Sequence, residues 1–126
     1  MANANLLFTK DHEWAKIDGD IAIVGITDHA QEILGELTYV ELPAVDTEVN
    51  RHDEIAVVES VKSANDVYSP VTGKVIESNK ALESKPEIIN DDCYGEGWIC
   101  KIQISDKNSL KNLMTATQYH EYVKEL

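Results

Sequence analysis

Basic residues are scarce in this chain, which has 11 Lys and Arg against 23 Asp and Glu in 126 residues. The resulting formal charge of −12 would repel nucleic acid and anionic membranes, so neither is expected as a partner. An acidic surface could contact basic surfaces of partner proteins, or it could serve solubility alone. The sign of the charge does not separate these two uses.

Cysteine is also rare. The two thiols, Cys93 and Cys100, are seven positions apart, which matches neither a zinc pattern nor the Cys-x-x-Cys of redox proteins. Cys100 lies in an alternating strand pattern, so we expect it to be a small core residue, and we expect no disulfide.

Long apolar runs are missing as well. No stretch reaches the roughly 20 apolar residues that a membrane helix requires. Residues 1–5, Met-Ala-Asn-Ala-Asn, contain neither a basic region nor an apolar signal core, so the chain as given predicts a cytoplasmic protein. At this length we expect one domain spanning residues 1–126, and nothing demands more than a monomer.

The signatures of self-sufficient active sites are absent from the sequence. No Gly-x-Ser-x-Gly elbow and no phosphate-binding Gly-Lys-Ser/Thr occur, and the histidines do not have the spacing of metal ligands. We therefore predict no catalytic residues and no metal site. A small enzyme that uses His12, Glu13 and Asp66 is the alternative from another class. It would turn over a substrate without Lys62, whereas a carrier would not.

Short strands separated by turn residues predict a mostly β sandwich or barrel. Asp18-Gly19 is a strong hairpin signal between strands at residues 14–18 and 21–24. Residues 6–8 predict an edge strand, and further strands are predicted at 38–42, 74–77 and 98–104. Residues 46–53 are predicted to form a polar loop, and residues 79–97 are predicted to be irregular apart from one helical turn at 87–89.

Two segments have helical spacing of apolar residues. In the first, over residues 27–37, we expect a capping box formed by Asp28 and Gln31 and an early end at Gly35. Its apolar face comprises Ala30, Ile33, Leu34 and Leu37. The second segment is at the end of the chain. There we expect one short helix and then another, which begins with a capping box formed by Thr115 and Gln118. Their apolar residues are Leu110, Leu113 and Met114, and then Tyr119, Tyr122, Val123 and Leu126.

The chain is organised around a predicted hairpin at about residues 55–70. β-Branched residues lead to Lys62, turn residues follow, and a second extended segment ends at Pro70. An exposed lysine is ordinarily only a solvated side chain. Displayed on a tight turn, however, Lys62 is suited to serve as an attachment point.

The motif Glu59-Ser60-Val61-Lys62, followed by Asp66, resembles the modification site of the glycine cleavage system H-protein family, whose lysine carries lipoic acid. Other motifs match in the family's order along nearly the whole chain. They are His12-Glu13-Trp14, residues 25–31, Gly35-Glu36-Leu37, residues 40–43, residues 69–73 and residues 90–98. Cys93 stands where the family usually has proline and Asp46 where it often has glycine, so we expect altered stiffness in these two loops.

The resemblance implies a lipoyl-domain-like barrel-sandwich hybrid of two antiparallel sheets, with short helices after the first hairpin and at the C-terminus. It implies a non-catalytic carrier with lipoic acid covalently attached to Lys62, and recognition by lipoate ligase or lipoyl-synthesis enzymes through Glu59, Ser60, Val61 and Ser63. The arm would take the aminomethyl group of glycine from the pyridoxal-phosphate glycine decarboxylase to the tetrahydrofolate-dependent aminomethyltransferase. Dihydrolipoamide dehydrogenase would reoxidise the dithiol.

The resemblance also implies a cleft, formed with Glu13, Asp66 and Ile26, that holds the loaded arm. Two related readings stay open. A biotin carrier domain shares the architecture, but its lysine typically lies between methionines, whereas Val61 and Ser63 flank Lys62. An H-like protein that relays lipoyl groups to other enzymes would have the same fold and the same lysine.

Overall fold

The computed structural model describes residues 6–126, so segment 1–5 and the prediction based on it lie outside the described residues. Its strands form a six-stranded sheet in the order β1-β2-β3-β9-β8-β5 and a three-stranded sheet in the order β4-β6-β7, all antiparallel. Their bounds are β1 Leu6–Phe8, β2 Glu13–Asp18, β3 Ile21–Ile26, β4 Leu37–Glu41, β5 Glu48–Val49, β6 Glu54–Ser60, β7 Ala64–Tyr68, β8 Thr72–Ser78 and β9 Cys100–Asp106.

The predicted hairpins are confirmed. β2 and β3 pair from Glu13↔Ile26 to Asp18↔Ile21 around the Asp18-Gly19 turn, and Gly19 has the left-handed φ of 62° that favours glycine. β6 and β7 pair on either side of Lys62. β1 forms one edge of the larger sheet, as expected.

The first helix, α1, spans Asp28–Leu34 and ends at Gly35, as predicted. The predicted capping box is wrong, because Thr27 is the N-cap and its Oγ1 accepts from the N–H of Ala30. The predicted apolar face also extends one turn beyond the end of the helix. Leu37 begins β4, while Ile33 is 59% exposed.

Short elements account for most of the other differences. β5 lies in the expected loop 46–53, and the segment expected to be irregular contains helices α2 (Ala81–Ser84) and α3 (Ile88–Asp91). A 3-10 helix at Lys107–Asn112 replaces the predicted helix that was to include Leu113 and Met114. Met114 instead forms a β-bridge with Phe8.

The last helix, α4, spans Ala116–Lys124, and its Thr115/Gln118 capping box is confirmed. Leu126 was placed on its apolar stripe, but it lies beyond the helix and is 66% exposed. No helix among residues 6–126 is long and apolar enough to cross a membrane.

The larger hydrophobic core draws on both sheets, and Cys100 is buried in it as predicted. A second cluster consists of Leu6, Phe8, Trp14 and Tyr119. Through it, α4 packs on β1 and β2. Cys93 and Cys100 are both buried free thiols.

Candidate functional site

Lys62 lies in the turn between β6 and β7, and the turn is braced by its own serines. The N–H of Ser60 donates to the carbonyl of Ser63 at 2.8 Å. Oγ of Ser60 accepts from the N–H of Lys62 at 3.2 Å and from that of Ser63 at 3.3 Å. Val61, next to the lysine, is 87% exposed. The turn therefore presents the lysine to solvent on a defined backbone.

The lysine side chain passes over the end of α1. A Cβ atom added to Gly35 would lie 3.3 Å from Cε and 3.6 Å from Nζ of Lys62. Asn90 of α3 holds this corner, since its Nδ2 donates to the Gly35 carbonyl and its Oδ1 accepts from the N–H of Leu37, both at 2.9 Å. The lysine thus lies against a chain segment that hydrogen bonds from Asn90 hold in place.

Beside this corner is a cleft of about 440 Å³, enclosed by the β1–β2 loop, α1 and β7. We call it the arm cleft. The three residues predicted to form it, Glu13, Asp66 and Ile26, all line it. Its other lining residues are Lys10, Asp11, His12, Ala30, Ile33, Leu34, Val58, Ala64, Asn65, Val67 and Tyr68.

Glu13 is the buried acid of the arm cleft, with 2% of its surface exposed. Its Oε2 accepts from the backbone N–H of Tyr68 at 3.0 Å, and its Oε1 accepts from the Thr9 hydroxyl at 2.7 Å. Burial raises the pKa of Glu13 to about 7, against the lowering effect of these two hydrogen bonds. At neutral pH this carboxyl is therefore close to its titration point.

The other predicted residues take simpler positions. Asp66 is exposed on β7 opposite Val57. Glu59 is half-buried at the end of β6, where its carbonyl accepts from the Thr38 hydroxyl. Glu59, Ser60, Val61 and Ser63 thus surround Lys62 through the hairpin itself.

Two histidines that are distant in sequence meet beside the arm cleft, which His12 lines. The rings of His12 and His29 are 4.6 Å apart. Nδ1 of His12 is 2.8 Å from the Tyr119 hydroxyl, which is also 2.8 Å from Oγ1 of Thr27. The only local signal was that His12 adjoins Glu13, because the other partners are distant in sequence.

A family model described as the glycine cleavage H-protein matches residues 6–126. The chain belongs to this family. A glycine cleavage system H protein of Xanthomonas campestris is 53% identical over 96% of this chain and 93% of its own length. One from Symbiobacterium thermophilum is 50% identical over 99% of both chains. The resemblance stated from the motifs is thereby confirmed.

The fold is shared with a solved structure of this family. The crystal structure of a glycine cleavage system H protein from Mycobacterium marinum superimposes with a TM-score of 0.85 at 35% identity, covering 97% of this chain and 96% of that one. The predicted barrel-sandwich hybrid is therefore confirmed. Of the two departures from the family pattern, Asp46 has a left-handed φ of 75°, a conformation that favours glycine. Cys93 is buried.

Proposed function

We propose that this chain is the lipoyl carrier of a glycine cleavage system, with lipoic acid joined to Nζ of Lys62. The observation that carries the proposal is the position of Lys62, on a braced turn and against the end of the helix that forms one wall of the arm cleft. An arm attached there would extend roughly a dozen Å, from about ten bonds near 1.5 Å each.

The arm cleft fits a flexible apolar chain with a cationic end. Its volume of about 440 Å³ lies within the usual range for small-ligand sites. Its apolar walls include Ile26, Leu34 and Val67, and its buried polar group is the carboxyl of Glu13. A buried carboxyl stabilises a cation that reaches it, provided the pair is hydrogen-bonded.

When attached, the lipoyl group supplies a dithiolane that takes up the aminomethyl group of glycine and gives it up to a folate-dependent enzyme. The chain's own residues orient and protect that cargo. An ammonium next to Glu13 favours its ionised form, so Glu13 and Asp66 would hold the cation by charge-assisted hydrogen bonds. The apolar walls would keep water from it.

The partners follow from this role. They are the pyridoxal-phosphate glycine decarboxylase, the tetrahydrofolate-dependent aminomethyltransferase, dihydrolipoamide dehydrogenase and the ligase or synthesis enzymes that modify Lys62. The formal charge of −12 favours encounter with basic surfaces on such partners. Tethering makes each transfer effectively intramolecular once a partner is bound.

Lys62→Arg tests the proposal, because it keeps the charge and removes the amine that can be acylated. With its own ligase, the wild-type protein should gain one lipoyl increment in intact mass, and the variant should gain none. Glycine–bicarbonate exchange with the decarboxylase should then disappear in the variant, while its circular dichroism and melting temperature stay unchanged.

Lys74→Arg is the matched control, since Lys74 is also an exposed lysine but lies within strand β8 and not in the turn. It should be modified normally and support full exchange. Full exchange by the Lys62 variant would overturn the carrier role and favour an enzyme built on His12, Glu13 and Asp66. A biotinyl increment in the wild-type mass would overturn the choice of cofactor.

A further inference from the structure

Tyr119 lies behind the wall of the arm cleft and is not among the residues that line it. It belongs to α4, is 2% exposed, and its ring stacks on Phe8 with centroids 4.6 Å apart. Its hydroxyl is 2.8 Å from both Nδ1 of His12 and Oγ1 of Thr27. One hydroxyl therefore joins the loop before β2 to the N-cap of α1.

The direction of these hydrogen bonds follows from Thr27. Thr27 is completely buried, and its Oγ1 already accepts from the N–H of Ala30. A buried hydroxyl proton requires an acceptor, and among residues 6–126 the one within reach is the Tyr119 oxygen. Thr27 therefore donates to Tyr119, and Tyr119 must donate its own proton to Nδ1 of His12.

An acceptor at Nδ1 defines the state of the His12 ring. Nδ1 carries no proton, so the single proton of the neutral imidazole is on Nε2. Protonating Nδ1 would break the bond from Tyr119 and leave the Thr27–Tyr119 pair with a surplus proton. The hydroxyl thus favours a neutral ring in the wall of the arm cleft.

This has a consequence for the cargo. A charged imidazolium beside Glu13 would compete with a bound ammonium for the same carboxylates. We propose that Tyr119 is a positioning residue for the arm cleft, whose hydroxyl holds His12 as the neutral Nε2–H tautomer so that the His12 ring adds no cation next to Glu13 and Asp66. The functional half of this inference rests on the proposed carrier role.

The groups that surround His12 also favour its neutral form. Burial and then the neighbouring His29 lower the pKa of His12, against the raising effect of Asp11. The titratable and charged groups around it come from the β1–β2 loop, the start of β2, α1, α4 and β7. They are Lys10, Asp11 and Glu13, then His29, then Tyr119 and Tyr122, and then Asp66 and Tyr68.

Tyr119→Phe removes the hydroxyl and keeps the ring that stacks on Phe8. Tyr122→Phe is the matched control on the same helix. The ring of Tyr122 is 6.1 Å from that of His12, but its hydroxyl donates to the carbonyl of Lys10 at 3.2 Å instead. Comparing the two variants separates the loss of this one relay from the loss of a tyrosine hydroxyl on α4.

The first measurement is nitrogen-15 NMR of the histidine rings in the full, unmodified chain across a pH titration. We expect the Nε2–H tautomer for His12 in the wild type and in Tyr122→Phe. In Tyr119→Phe we expect a mixture of tautomers and a higher His12 pKa. An Nδ1–H tautomer in the wild type, or identical tautomers and titration in Tyr119→Phe, would overturn the assignment.

The second measurement is the lifetime of the loaded protein at neutral pH, well below the melting temperature of each variant. Loss of the hydrogen bond from Tyr119 would raise the charged fraction of His12 about fivefold. We therefore expect the loaded form to decay about fivefold faster in Tyr119→Phe, with Tyr122→Phe like the wild type. Equal lifetimes would overturn the functional half. A wild-type chain that cannot be loaded would overturn the carrier role itself, and the tautomer would still decide the assignment of Tyr119.

Discussion

Oε2 of Glu13 accepts a hydrogen bond from the backbone N–H of Tyr68 at 3.0 Å, and this bond joins the six-stranded sheet to the three-stranded sheet. Glu13 begins β2, and Tyr68 ends β7 beside the arm cleft. A carboxyl in this position is part of the structure as well as of the site. Its protonation should therefore affect both stability and the retention of cargo.

The pH dependence of stability should carry the signature of Glu13. Its pKa in the folded protein, about 7, lies above the ordinary value of 4.5. The stability it contributes is therefore fully present below pH 4.5 and is lost as the pH rises through 7. The difference corresponds to about 3 kcal/mol. In Glu13→Gln this decline should vanish from denaturant unfolding curves measured between pH 4.5 and 8.

The exposed Glu83 provides the control for that experiment. Glu83→Gln should leave the decline intact. An unchanged slope in Glu13→Gln would mean that Glu13 does not titrate in this range.

Retention of the cargo should depend on both acids of the arm cleft. Hydrolysis of an aminomethyl thioether breaks its C–S and C–N bonds and returns thiol, formaldehyde and ammonium. If the proposed carrier role holds, Glu13→Gln and Asp66→Asn would each remove a charge-assisted hydrogen bond to the ammonium group, so release of formaldehyde from the loaded protein should accelerate about tenfold. Glu83→Gln should have no effect. Unchanged lifetimes in both cleft variants would show that Glu13 and Asp66 do not hold the cargo.

A side chain at Gly35 should destabilise the protein. Its φ of 81° and ψ of −158° lie in a region that is essentially restricted to glycine, and a methyl group would contact Lys62. Gly35→Ala should reduce the free energy of unfolding by about 1–3 kcal/mol and slow lipoylation of Lys62. Gly19→Ala is the control, because Gly19 also has a positive φ but has no atom within 4 Å of an added Cβ. It should lose stability without changing the lipoylation rate.

Asn90 should matter more than its partial exposure suggests. Its amide makes three hydrogen bonds, to Gln31, to Gly35 and from Leu37, each at 2.9 Å. Asn90→Ala should cost about 2–3 kcal/mol in thermal or urea unfolding. Ser84→Ala, which removes one exposed hydroxyl bond to the Ala81 carbonyl, should change stability by less than about 0.5 kcal/mol. Equal losses in the two variants would argue against a role for Asn90 in fixing this corner.

The elements that were predicted correctly depend on neighbouring residues. Asp18-Gly19 makes its hairpin and Thr115 with Gln118 caps α4 because the groups involved are two or three positions apart. β5 was missed because a two-residue strand is too short for periodicity to indicate. The 3-10 helix lies where a helix including Leu113 and Met114 was predicted, so the helical segment was found but its type and its end were not. At α1 both Thr27 and Asp28 are capable N-caps, and the local pattern favoured the wrong one.

The position of Lys62 in a tight turn could be predicted from the sequence, because the β-branched residues before it and the turn residues after it are local features. Its role as the attachment point came from the resemblance of Glu59-Ser60-Val61-Lys62 to the family motif and stays a prediction. The burial of Glu13, the meeting of His12 with His29 and the relay through Tyr119 could not be found in this way. Tyr68 is 55 positions from Glu13, and Tyr119 is 107 positions from His12. Such contacts exist only after the two sheets and α4 have packed. Packing excludes the water that would otherwise solvate these side chains, and this exclusion is what shifts the pKa of Glu13 and of His12.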